Sequence, residues 1–441
     1  MQDKDSERGL DIDSNSNAAG ASEGGNPNPL WTKDFTIITI GSVISIAGSV
    51  LSGFAMSLFV LDYTGKPFYF ALFGILYFLP SVAAPILAGP FLDRFSRKKT
   101  IYMLDFITSG IYVIFTLVMQ FGRINMPIVA AGTFLIGTIN SVYQVAYQSF
   151  YPLLITKGNY SKAYSIASSL ETLAMMVTPI SAFVYNKVGL VPLLAFNAVT
   201  YFIAAVMETQ ITQSEDYIEK RKAEDSLEGE TLRGLKRFAS DFKEGMSYLV
   251  SEKGLFFVAI YFTFSAMDSG VIETLTLPYF KMNFENGEYI YMVVGAGAAV
   301  GRVVGGMVHY RLRLPQHRKF DIALFVYISL GIIGAIFLYT PLPAMFVLFS
   351  LTGILGVTSY NIRISATQRY VPDEKKGRFN GTFNTLNVIG MLIGQAGAGI
   401  ISLVLDSRTI ITISALVGLA AAVVLIGGNR RHIAPIYNTE D

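Results

Sequence analysis

The sequence predicts an all-α polytopic membrane protein with twelve transmembrane helices in two six-helix bundles. Three observations predict it. The 441 residues are 52% apolar and only 15% charged, against about 25% charged in an average soluble domain. Twelve apolar runs follow one another, and about 20 apolar residues suffice to cross the hydrocarbon core as a helix. Lysine and arginine concentrate in alternate loops, as they do where loops face the cytoplasm. The alternation of a barrel strand is missing, which excludes an outer-membrane barrel.

The elements follow in order. Residues 1–34 read as a disordered cytoplasmic tail. Its first 29 residues are polar, rich in Ser, Asn and Gly, and lack the apolar core of a signal peptide. Apolar runs occupy about 35–61, 68–90, 100–121, 127–149, 163–186 and 190–211, forming a first bundle over 35–211. A charged linker spans 212–253. Runs at about 254–280, 288–310, 320–340, 342–364, 379–405 and 409–428 form a second bundle over 254–428. Pro341 and Pro343 mark a tight turn between helices nine and ten. Residues 429–441 form a second cytoplasmic tail.

The charge count supports this topology. With both termini inside, 27 of the 34 Lys and Arg residues face the cytoplasm and five face outward, while Arg302 and Arg363 lie within helices. Such an asymmetry predicts the positive-inside orientation of a plasma-membrane protein. Within the linker, Leu232, Leu235, Phe238, Phe242, Met246 and Leu249 recur at helical spacing beside Arg233, Lys236, Arg237 and Lys243. This is the pattern of an amphipathic helix on the inner leaflet, the plainer reading being a tether between bundles.

Composition narrows the function. Net charge is +2, too small for a nucleic-acid field, and there is no cysteine for disulfide, thiol or metal chemistry. The three histidines, His309, His317 and His432, are too scattered to hold a metal. No phosphate loop, HExxH or nucleophile elbow occurs. Neither an enzyme nor an ATP-driven pump is expected, and no cofactor or metal.

After the second apolar run comes GPFLDRFSRKKT, residues 89–100. This segment resembles the signature loop of the major facilitator superfamily, with Gly89, Asp93, Arg94, Arg97 and Lys98 matching and Phe91, Leu92 and Ser96 departing. The six-linker-six layout resembles that superfamily over about 35–428. The resemblance implies two pseudo-symmetric bundles that alternate access, and a charge cluster that locks helix two to helix eleven in the outward-open state. Asp105, one to two turns into helix three, is placed to pair with Arg94 or Arg97. Asp93 and Asp105 are therefore read as gate residues. The equivalent loop of the second half, 305–319, keeps glycine and basic residues but lacks the acid, so a one-sided lock is expected.

Further segments are similar to the macrolide and siderophore exporters of the superfamily: LDYTG at 61–65, FKEGMSYL at 242–249 and VPDEKKGRFNGTF at 371–383. In helix five only Pro179 remains of the exporters' glycine-rich stretch. Gly297, Gly301 and Gly305 in helix eight, and Gly390 and Gly394 in helix eleven, supply small-xxx-small seams for close helix packing.

A charge at the bilayer centre costs about 2.5–3.5 kcal/mol on insertion scales, so an embedded charge calls for a function. The proton-coupling candidates are Asp268 and Glu273 in helix seven and Glu171 in helix five. An acid in an apolar cavity can load and release a proton near neutral pH. Asp268 is nearest mid-depth. Glu273, five residues on, points about 140° away from it. Arg302 and Arg363 are the ion-pair candidates, and a buried Asp268–Arg302 pair is the competing reading. Asn140, Gln144 and Gln148 on helix four recur every fourth residue, and Asn380, Asn384 and Asn387 on helix eleven recur at steps of four and three, with Gln395 deeper. Such polar stripes line a cavity or bond between helices.

The resulting expectation is a secondary transporter, monomeric in the bilayer, exporting a small amphipathic substrate in exchange for protons. The alternative is a lipid or lysophospholipid transporter on the same fold without strict proton coupling.

Overall fold

The computed structural model describes residues 29–81, 95–122, 125–156, 159–215, 239–240, 242–311 and 314–438. The first half holds α1 (Lys33–Thr64), α2 (Pro67–Phe78), α3 (Arg97–Phe121), α4 (Met126–Phe150), α5 (Tyr160–Val188) and α6 (Leu190–Glu208). The second holds α7 (Lys253–Asn283), α8 (Gly287–Arg311), α9 (Lys319–Ile336), α10 (Leu342–Tyr370), α11 (Asp373–Ile401) and α12 (Ser407–Ala421), followed by α13 (Arg430–Tyr437). Ten of the described helices are long and apolar enough to cross a membrane, and Pro67–Phe78 is a shorter apolar helix. The expected continuation of α2 to residue 90 lies outside the described residues, as do Gly89, Asp93 and Arg94. The fold is all-α, and its helices follow the expected order.

Local chemistry sets the ends. Thr32 caps α1 by accepting the Phe35 N–H at 3.2 Å. Gly65 closes α1 at φ 64°, in the left-handed region that glycine enters without a Cβ penalty. Pro67 opens α2, where its fixed φ and missing N–H cost nothing. Ser96 caps α3, its hydroxyl accepting from Lys99 N at 3.0 Å. The family signature has glycine there, and serine supplies a capping oxygen that glycine lacks.

Packing is close where side chains are smallest. In the first half α1 and α3 both pack on α6, and in the second α7 packs on α11 and α8 on α10. A Cβ on Gly297 would sit 2.7 Å from the Phe346 carbonyl oxygen, and one on Gly305 would sit 3.0 Å from Ile354 Cα. These glycines let α8 and α10 touch backbone to backbone.

Two segments make contacts that the sequence reading does not include. Linker residues 242–251 are helical, with Phe242 and Met246 half-buried. Leu249 is buried within the second half's core. Glu244 bonds Arg378 at 2.9 Å and Lys375 lies 4.5 Å over the Tyr248 ring. The cause is local: Gly245 admits the α11 backbone, and the basic first turns of α11 attract the linker's acid and ring. Leu232, Leu235 and Phe238 lie outside the described residues. The terminal segment, in turn, folds back as α13, burying Ile433, Ile436 and Tyr437, with the Tyr437 and Tyr327 hydroxyls 3.0 Å apart.

The start of α12 offers a check. Asp406 accepts from Thr409 N at 3.0 Å and from Thr409 Oγ1 at 2.7 Å. The backbone bond from Thr409 holds its carboxyl below the usual carboxylate range. Because the folded value is depressed, the cap stabilises above the ordinary carboxylate pKa and weakens as pH falls. Asp406→Ala should cost about 0.5–2 kcal/mol at neutral pH. Thermal unfolding curves of variant and wild type should converge in acid.

Candidate functional site

A cavity of about 350 Å³ lies between the halves, at the lower end of the range of small-molecule sites. α1, α2, α3 and α4 form one side through residues such as Ser49, Phe54, Tyr77, Tyr112 and Thr133. α7, α8 and α11 form the other through Glu273, Thr274, Leu277, Tyr291 and Gln395. The walls are mostly aromatic and aliphatic. Among the described residues, Glu273 is the only charged side chain in the lining.

Helical spacing builds this arrangement. Glu273, Leu277 and Lys281 recur every fourth residue and so share one face of α7. That face meets the first half in three successive layers. Glu273 opens on the cavity between Gln395 and Tyr291. Leu277 is buried against Leu58 and Ala182. Lys281 forms an ion pair with Asp62, which also accepts from the Tyr185 hydroxyl at 3.0 Å.

Other contacts join the halves at the same end, which is marked by Gly65. Asn186 Nδ2 donates to Glu288 Oε1 at 2.6 Å. Phe54 stacks on Tyr291 and Phe183 meets Tyr289 edge-on, each with ring centroids 6.2 Å apart. A Cβ on Gly399 would clash with Ala71 Cβ, so α11 and α2 touch here as well. Hydrogen bonds, ion pairs and ring contacts between the halves, among the described residues, therefore cap the cavity at the Gly65 end.

The opposite end, marked by Ser96, is organised within the first half. Glu215, just past α6, accepts from the Ser96 hydroxyl and from Arg97 N at 2.8 Å. A carboxylate at a helix N-terminus meets orphan N–H groups and the positive end of the dipole. Arg97 Nη1 donates to the Ser149 carbonyl at 3.0 Å and Lys98 Nζ to the Ile211 carbonyl at 3.1 Å. These two signature residues thus pin α3 to the ends of α4 and α6.

The remaining candidates separate. Asp268 accepts from Ser414 of α12 at 2.6 Å and does not pair with Arg302, which is exposed on α8. Arg363 stands among rings, its guanidinium carbon 5.2 Å from the Phe262 centroid, 5.3 Å from Tyr360 and 4.7 Å from Phe383. Asp105 faces Glu208 rather than Arg97. Eight residues place Asp105 about 12 Å further along the helix axis than Arg97. Nothing is described of the Glu171 side chain. On α4, Thr133 and Ile136 line the cavity, and Asn140, Gln144 and Gln148 continue the same helical face toward the Ser96 end. On α11, Asn384 shares the face of Gln395, three turns nearer that end, while Asn387 turns its amide back to the Phe383 carbonyl at 2.7 Å. Lys281, Tyr291 and Glu208 were not singled out from sequence, and Asp62 entered only as part of the LDYTG segment. Asp62 and Lys281 looked like ordinary loop-end charges, and only the pairing of α1 with α7 shows their use.

Comparison with known proteins follows the geometry. A family model described as Major Facilitator Superfamily matches residues 38–394. The chain is 24% identical over 305 residues to the uncharacterized MFS-type transporter YkuC of Bacillus subtilis, covering 67% of this chain and 68% of that one. It is 23% identical over 374 residues to macrolide efflux protein A of Streptococcus pyogenes, covering 82% and 88%. Among solved structures it is similar to the nucleoside transporter NupG, with TM-score 0.64 at 14% identity over 90% of this chain and 99% of that one. It is also similar to a bacterial homologue of ferroportin, with TM-score 0.63 at 14% identity over 92% and 99%.

The cap is testable. A half-exposed ion pair is worth about 0.2–1 kcal/mol, so Lys281→Met should weaken the contact between the halves at the Gly65 end by at most about fivefold. The chain has no cysteine, so spin labels on Thr64→Cys and Met282→Cys report this end cleanly. The distance distribution should broaden toward longer values in Lys281→Met. An unchanged distribution would remove the pair from the cap.

Proposed function

The chain belongs to the major facilitator superfamily, and on that premise we propose that it exports an amphipathic small molecule across the plasma membrane in exchange for protons. The observation that carries this reading is Glu273, an acid facing a mostly apolar cavity between the two halves with no cation against it among the lining residues. A group so placed can take up a proton or oppose a substrate's positive charge, and the two uses compete. Competition of that kind is what an exchanger needs.

The charge distribution supports the direction. Lys and Arg counts support a Gly65 end outside and both termini in the cytoplasm. The capped cavity then corresponds to a cytoplasm-facing state. Asn140, Gln144, Gln148 and Asn384 form its polar approach. Substrate entering from inside binds beneath the cap, the cap opens, and the Ser96 end closes. Asp93 and Arg94, with the clamped Arg97 and Lys98, are the lock for that second state. The resemblance to macrolide efflux protein A supports an amphipathic substrate. Aromatic walls suit such a molecule, and one acid suits a cationic group on it.

The deciding experiment uses vesicles with an imposed pH gradient. Glu273→Gln, which mimics a permanently protonated acid, should abolish gradient-driven substrate movement while allowing downhill exchange. Asp268→Asn, whose carboxyl faces Ser414 instead of the cavity, should retain driven transport. Driven transport that survives Glu273→Gln but fails in Asp268→Asn would transfer the proton to Asp268. Transport indifferent to the gradient in the wild type would favour the lipid or lysophospholipid alternative.

A further inference from the structure

Two acids outside this cycle meet inside the first half. Asp105, two turns into α3, and Glu208, the last residue of α6, are each 1% exposed. Their carboxyl groups stand within hydrogen-bonding reach of each other. Yet Asp105 Oδ2 and both Glu208 oxygens are sealed from solvent without a hydrogen bond of ordinary geometry.

Among the described residues, the surroundings offer no neutralising charge. α1 closes one side, where a Cβ on Gly41 would lie 3.6 Å from Glu208 Oε1 and 3.9 Å from Ala204 Cβ. α4 closes another, where the Tyr143 hydroxyl faces Glu208. Tyr201 of α6 stands near Asp105. These two tyrosines are the titratable groups around the pair. Among the described residues, no lysine, arginine or histidine faces either acid.

Two carboxylates in an apolar helix junction each bear a large desolvation cost and repel one another. A proton removes one charge and also supplies the missing O–H donor. We infer that Asp105 and Glu208 form a second proton-binding site, one shared proton bonding α3 to α6 across the face of α1. Removing it would set two like charges between α3 and α6. Those helices carry the Ser96-end clamp formed by Arg97, Lys98 and Glu215, so the site makes the first half's packing at that end depend on pH. The site stands apart from Glu273, and its test does not involve transport.

The full chain in lipid nanodiscs provides the test. On alkaline titration, infrared difference spectra should show loss of a protonated-carboxyl C=O band. That band should be missing in Glu208→Gln and in Asp105→Asn, because an amide N–H replaces the shared proton, and should persist in Glu273→Gln. Stability conferred by the proton is present at low pH and lost as pH rises. The thermal midpoint of Glu208→Gln should therefore match the wild type near neutrality and lack the wild type's alkaline decline. If Glu208→Gln folds poorly, Asp105→Asn makes the same comparison. The same band in both amide variants, or parallel alkaline declines in all three proteins, would overturn the site. A wild-type midpoint raised by Na⁺ or Ca²⁺ with no band assignable to the pair would also overturn it, replacing the proton with a metal cation.

Discussion

A charge surrounded by hydrocarbon has to be neutralised, hydrogen-bonded or turned toward water, and the arrangement of this protein depends on how its acids meet that demand. Each solution differs. Asp62, at a rim, takes Lys281 as partner. Asp268 takes the Ser414 hydroxyl. Glu273 turns into the cavity beside Gln395 and Tyr291. Asp105 and Glu208, among the described residues, face each other, Tyr143 and Tyr201. Since insertion of each charge costs a few kcal/mol, none of these acids is neutral filling. Together they mark the rim, the cavity and the core of one half.

The strength of contacts differs between and within the halves in a way that permits movement. Inside the second half, α8 meets α10 and α7 meets α11 along glycine seams where backbones touch. Such seams resist separation because any gap forfeits many close contacts at once. Between the halves, beside the packing of Leu277 and Gly399, the polar and ring joins among the described residues are a half-exposed ion pair, the Asn186–Glu288 bond and ring contacts. Each is worth about 1 kcal/mol or less. A sum of small terms at one end can be exchanged for a similar sum at the other, leaving two states of comparable free energy.

Much of this was legible in the sequence, and the rest was not for reasons of distance along the chain. Twelve helices announced themselves by length and apolarity, which are local. The glycine seams were legible because spacing alone defines a face. The linker's helix was legible too, but not what covers it, since Gly245 and Glu244 meet α11 more than 130 positions later. Asp105 was read with the basic loop beside it, whereas its partner Glu208 is 103 positions away. For Asp268 and Glu273 only their angular separation was legible. Which of them faces the cavity depends on the rotation of α7, and that is fixed by Leu277 and Lys281 meeting α1.

The cations complete the logic. An acid held in a permanent ion pair stays ionised and cannot cycle a proton. The second half contains embedded arginines, and the simplest packing would have set them against its acids. Instead, Arg363 is surrounded by Phe262, Tyr360 and Phe383, whose ring faces stabilise a guanidinium without an anion. Arg302 lies exposed on α8, and Lys281 is taken by Asp62 at the rim. Glu273 is thereby left with neutral neighbours that can bond to either of its protonation states, Gln395 through its amide and Tyr291 through its hydroxyl. Aromatic partners for one cation and a rim acid for another leave the cavity acid with no cation among the described lining residues.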